Sequence, residues 1–141
     1  AGVVPPGWTT AYGTPDTCDA SGPFNNTGFP WTPSPDGGTF VRGLAPPVGT
    51  AEAISQVVTG LTIGDTYQVE YVQTHLGFAY PPTPTWYTGA GRWAFSLDGT
   101  LFANSSVQAT PATYADPIVW TAGSVTFTAT ATSHELHIQS E

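Results

Sequence analysis

Apolar and polar residues alternate along much of this chain. Tyr67, Val69 and Tyr71 alternate with Gln68 and Glu70, and Trp93, Phe95 and Leu97 with Ala94 and Ser96. Val125, Phe127, Ala129 and Ala131 alternate with Thr126, Thr128 and Thr130, and Leu136 and Ile138 with Glu135, His137 and Gln139. A period of two puts one set on each face of a sheet. β-branched and aromatic residues suit that pleated surface. Shorter stretches at Thr39 to Arg42, Ala53 to Val58 and Ile118 to Thr121 read as further strands. Thr50 to Val58 also carries Ile54, Val57 and Val58 at helical spacing, but β-branching and brevity favour a strand.

Turn residues punctuate these runs. Asp36-Gly37-Gly38, Gly64-Asp65 and Ala122-Gly123-Ser124 read as turns, and Asp98-Gly99 as a tight hairpin turn with both central residues at positive φ. Two longer segments, Tyr12 to Asp36 and Gly77 to Gly91, read as irregular. Both are rich in Gly and Pro with aromatics embedded, and long irregular loops in compact domains are usually functional. The expected fold is an all-β antiparallel sandwich or jelly roll. No linker divides the chain, so residues 1–141 are expected to form a single domain. The expected inward set is Tyr67, Val69, Tyr71, Trp93, Phe95, Leu97, Val125, Phe127, Leu136 and Ile138.

Composition narrows the possible partners. Hydrophobic residues make up 40% of the 141 and charged ones 9%, which is not the signature of disorder. No apolar run approaches the roughly 18 residues of a membrane span, so membrane insertion is not expected. Ten acids against two arginines give a net charge of -8, which opposes binding to nucleic acid. It disfavours anionic membranes and sulfated polysaccharides for the same reason. The single Cys18 excludes a disulfide within the chain. A buried inert thiol is the expected state, with a free thiol or a bridge to another chain as alternatives. Ala1-Gly2-Val3-Val4 has neither a basic nor an apolar leader pattern, so a signal peptide is expected to be absent or already removed.

The order of several short motifs suggests a family. Pro6-Gly7-Trp8, Gly13-Thr14-Pro15-Asp16 and Gly38-Thr39-Phe40-Val41 are followed by Glu52-Ala53-Ile54-Ser55-Gln56, then Leu61, Gly64 and Tyr67. Trp93 to Gly99, Trp120, Val125 to Ala129 and Leu136-His137-Ile138 complete the series. Over nearly the whole chain, this order resembles the galactose-binding-domain-like jelly-roll modules of bacterial extracellular proteins. It is similar to the carbohydrate-binding modules of families 4 and 9. The resemblance implies two facing antiparallel sheets, an extracellular or cell-surface location and, in many relatives, a structural Ca²⁺. Relatives commonly finish with a further acid-bearing segment, whereas this chain ends at Glu141. Oxygen ligands for the ion would come from Asp16, Asp19 and Glu141, with backbone carbonyls completing the shell.

Sugar rings offer apolar C–H faces to aromatic side chains, while polar groups fix their hydroxyls. Tyr80, Trp86 and Tyr87, with His75 and Arg92 at the two ends of their loop, have that composition. Trp31 is a second aromatic candidate, whereas Trp93 and Trp120 fall in strand patterns and read as core. Arg92 is one of two cations, and its guanidinium could engage a ligand or pair with a nearby acid. His134 and His137 suit zinc on a helix, but a strand points them to opposite faces. No nucleophile motif is visible. The expected function is a non-catalytic carbohydrate-binding or adhesin-type module for a neutral glycan. The alternative is a self-assembling structural subunit of a bacterial surface layer or filament, its aromatic loops docking a neighbouring surface protein.

Overall fold

Strands form at each of the four alternating runs, at Phe40–Arg42 and at Ala53–Thr59, whereas Ile118, Val119 and Trp120, expected in a strand, lie outside one. A computed structural model describes residues 4–18, 33–46, 50–76, 78–80, 85–87, 89–110 and 118–141. Among them there is no helix, and so none long and apolar enough to cross a membrane. Eleven strands follow in chain order: β1 (Thr9–Tyr12), β2 (Asp16–Cys18), β3 (Phe40–Arg42), β4 (Ala53–Thr59), β5 (Thr66–Gln73), β6 (Phe78–Tyr80), β7 (Thr85–Tyr87), β8 (Trp93–Leu97), β9 (Thr100–Asn104), β10 (Thr121–Thr128) and β11 (Ser133–Ser140). Every pairing is antiparallel. A five-stranded sheet runs β1-β4-β11-β8-β9, and β5-β10, β2-β3 and β6-β7 form two-stranded ribbons.

The β5-β10 ribbon packs on the inner face of the large sheet, giving a two-layered, sandwich-like arrangement. Phe127 is at the centre of one end. Its ring stacks on Tyr67 at 5.8 Å and meets Phe102 edge-on at 5.5 Å. Leu61 and Ala129 are buried beside it, with Val58, Val69 and Leu97 packed around them. The register explains the match. Phe127 pairs with Tyr67 and Val125 with Val69, while Leu136 pairs with Leu97 and Ile138 with Phe95. Cross-strand partners share a face, so the ten expected inward residues converge on the interlayer space.

The turn after β8 follows its sequence. Asp98 (φ 49°) and Gly99 (φ 79°) are both left-handed, and β8 and β9 close into a hairpin there. Three further expectations need correction. Ala122-Gly123-Ser124 is not a turn, because β10 runs straight through it. Gly123 lies opposite Tyr71, and a Cβ there would come within 2.6 Å of that ring. The glycine therefore admits an aromatic ring over a strand rather than bending the chain. The 77–91 segment is not wholly irregular, since β6 and β7 pair as Phe78↔Tyr87, Ala79↔Trp86 and Tyr80↔Thr85. Within the Tyr12–Asp36 segment, Asp16–Cys18 pairs with β3.

Candidate functional site

Large side chains fill one end of the interlayer space. At the other end a cavity of about 520 Å³ remains. Its walls come from the last residues of β5, the first of β8, the last of β11, the β3 strand with the segment after it, and Trp120. Each wall is held in place by identifiable contacts. Gly43 lets Trp93 lie against the backbone, since a Cβ there would approach the indole Cη2 to 3.0 Å. The Leu44 amide donates to Glu52 Oε2 at 2.7 Å, and the Thr14 hydroxyl donates to Glu52 Oε1 at 3.0 Å. Ser140 Oγ accepts from the Glu52 amide at 3.0 Å and donates to the Leu44 carbonyl. The buried Glu52 carboxylate thus ties β4 to the Leu44 wall, and Ser140 adds β11.

The roots of the aromatic loop line this cavity. His75 and Leu76 stand at one root, and Gly91 and Arg92 at the other. Gly91 exchanges two backbone hydrogen bonds with Gln108, at 3.0 and 2.7 Å, and Arg92 exchanges two with Glu141, at 2.8 and 2.9 Å. The His75 ring lies close over Gly91, where a Cβ would come within 3.1 Å of it. Burial holds the His75 imidazole below its usual pKa and so favours the neutral ring. Burial likewise raises the Tyr71 phenol, another cavity-wall residue.

His75, Arg92 and Glu141 are therefore brought together on one cavity. Arg92 Nε and Nη2 both donate to Glu141 Oε2, at 2.9 and 2.8 Å. Of the two roles open to Arg92, pairing with a nearby acid is the one the geometry displays. Tyr80, Trp86 and Tyr87 lie in the β6-β7 ribbon, with their side chains outside the described residues. Trp31 and Asp19 also lie outside them. Trp93 and Trp120 are both half-buried and line the cavity, and Trp120 also packs against the buried Cys18 and Ile118 as its core reading expects. Trp120 meets Phe40 edge-on at 5.2 Å. Alternation correctly placed Trp93 inward, but it carries no information on whether the space opposite is filled.

Of the three carboxylates suggested for calcium, the two among the described residues are beside a guanidinium. Asp16 is buried with Arg42 at 4.0 Å, and Glu141 is bound by Arg92. A calcium ion at either position would sit beside a guanidinium, whose positive charge opposes a second cation there. Among the described residues no group of three or more His, Cys, Asp or Glu side chains is arranged to hold a metal. Cys18 is buried against Ile118, with Phe40, Leu76 and Trp120 around them.

A second constellation lies at the turn between β10 and β11. His134 is buried, and its Nδ1 is 2.6 Å from Asp98 Oδ2. The Thr130 and Ala131 amides both donate to His134 Nε2 at 3.2 Å. Nε2 is thus the acceptor, and Nδ1 carries the proton given to Asp98. The Glu135 amide donates to Asp98 Oδ1 at 2.9 Å, and these bonds, with that amide first, hold the Asp98 carboxyl below its usual range. With both ring nitrogens engaged, the imidazole pins two turns together and has no free nitrogen lone pair to offer a substrate. His137 lies on the opposite face of β11, 3.3 Å from Glu135. Hydrogen bonds from His137 and then Ser55 keep the Glu135 carboxyl low.

No known family, curated protein or solved structure matches this chain.

Proposed function

We propose that the chain is a non-catalytic extracellular module, on a jelly-roll sandwich, that binds a neutral glycan at the open end of its two layers. The cavity carries this reading. Its volume falls within the roughly 300–1,000 Å³ of small-molecule sites. Its wall combines aromatic surface from Trp93, Trp120 and Tyr71 with polar groups on Gln73, His75 and Gln108. That is the composition of a site that stacks a ring and orients it with few hydrogen bonds. The Arg92 charge is balanced by Glu141, and the chain carries -8 overall, so a neutral ligand suits it better than an anion. In the chain, the β6-β7 ribbon falls between Leu76 and Gly89, which both line the cavity, and on this reading its Tyr80, Trp86 and Tyr87 extend the site.

A glycan array probed with the whole chain tests this reading. Trp120→Ala and Trp86→Ala should then weaken the binding found while the protein stays folded and monomeric. A second reading is a structural subunit of a surface layer or filament. It would use exposed apolar side chains such as Val57, Ile63, Leu101, Val107 and Val119 as contact surface. Light scattering across a concentration series separates the two, because a subunit assembles and a binding module need not.

A further inference from the structure

We propose that Gln73 is the polar anchor of the ligand in this cavity: its side-chain carbonyl oxygen accepts a hydrogen from a hydroxyl of a neutral, polyhydroxylated ring. This inference rests on the glycan reading above and names the group that would give it specificity.

Gln73 ends β5 on the cavity wall and is 3% exposed. Its amide nitrogen is fully committed, donating to the Ser106 carbonyl at 2.9 Å and to Ser106 Oγ at 2.8 Å. Those bonds fix which way the amide faces, since a flip would set its oxygen against the Ser106 carbonyl. Oε1 is left shielded from solvent with no donor against it among the described residues. Native proteins rarely leave a buried acceptor unpaired, and the exceptions often mark sites with a missing partner. The missing partner must bring an O–H or N–H.

The rest of the wall narrows its chemistry. Arg92 is engaged by Glu141, so the nearest described guanidinium on the loop root is already neutralised. Trp93 and Trp120 offer flat apolar surface. A ring with apolar faces and donor hydroxyls at its edge satisfies both features. Oε1 is shielded in the unliganded chain, so a side chain of the wall must shift for the hydroxyl to reach it, and such rotamer changes are common on binding.

The experiment uses the whole chain, with a panel of neutral mono- and disaccharides and their monodeoxy analogues as probes. Affinity is read by titration calorimetry and folding by thermal melting. Gln73→Met keeps the side-chain length and removes the acceptor. Binding of the preferred saccharide should fall at least tenfold, while the melting temperature falls only modestly, because removing the unpaired acceptor offsets part of the loss of the two bonds to Ser106. One deoxy position should cost the parent protein the same factor and cost Gln73→Met nothing further. If Gln73→Met does not fold, Gln73→Asn, which withdraws the amide by one methylene, should show the same loss. Undiminished binding by a folded variant overturns the anchor and leaves the glycan reading standing. A panel on which no neutral saccharide binds overturns both.

Discussion

Replacing Phe127 with Ala tests the register on which the whole interlayer space depends. The ring is 9% exposed and stacks on Tyr67 at 5.8 Å. It also meets Phe102 edge-on at 5.5 Å and the His134 ring at 6.3 Å. Truncation removes the transfer free energy of a benzyl group and leaves a void that these three rings, each held by its own strand, can only partly close. The expected cost is about 3–5 kcal/mol. For a chain of this size each kcal/mol moves the melting temperature by roughly 2–4 °C, so a fall of roughly 6–20 °C is expected. Urea denaturation monitored by circular dichroism gives the free energy, and an unchanged slope would show that the denatured state is unaltered. Thr126→Ala, one residue away on the exposed face of β10, should change stability by no more than about 0.5 kcal/mol. A double-mutant cycle between Phe127 and Phe102 should return about 0.5–1.5 kcal/mol of coupling. A loss below about 1 kcal/mol for Phe127→Ala, or an equal loss at Thr126, would refute the inward assignment of this strand.

Other outcomes follow from the turns, the cavity wall and the acids. His134→Ala leaves the Thr130 and Ala131 amides without their acceptor and should cost about 2–4 kcal/mol by urea denaturation; a loss under about 1 kcal/mol would mean that the pin is dispensable. Gly123→Ala should lower the melting temperature clearly, because the new methyl meets the Tyr71 ring, itself packed on Phe95 at 5.2 Å; an unchanged melt would show that the ring is free to move. The folded-state pKa of His75 is depressed, so its contribution is complete above about 6.5 and is lost as pH falls through the folded value. Asp98 and Glu135 are depressed too, so theirs holds above about 4.5 and is lost further into acid. Urea midpoints across pH should therefore decline in two stages, and His75→Phe should remove only the upper one; a flat profile between pH 7 and pH 5 would refute the His75 assignment. Because Asp16 and Glu141 already face guanidinium groups, EDTA should leave the melting temperature unmoved, and a rise with added Ca²⁺ would show that the ion displaces them.

Much of the fold was legible because alternation is a local property. Four clear period-two runs and one Asp-Gly pair were enough for the inward set and the β8-β9 turn. Where local signals misled, tertiary contacts were the cause. Gly123 reads as a turn residue until Tyr71 is seen across the ribbon from it. Thr9–Tyr12 and Thr100–Asn104 form edge strands of the large sheet and carry weak alternation, since an edge strand need bury little.

The candidate site was legible only in part. His75 and Arg92 were singled out for flanking an aromatic loop, and both line the cavity. Gln73, the Trp93 ring and Trp120 were not. A glutamine at a strand end carries no local signal, and a tryptophan in an alternating run looks the same whether it faces a packed core or an open pocket.

The sequence by itself determined the class of structure, the inward faces and the charge that disfavours anionic partners, because these depend on neighbours in the chain and on simple counts. Only the tertiary structure decided that Glu141 meets Arg92, that Asp98 and His134 pin two turns, and that the two layers stay open at one end. Those facts join residues 36 to 49 positions apart, or depend on the space between two sheets. No pattern along a chain records how much room is left between its strands once they have paired.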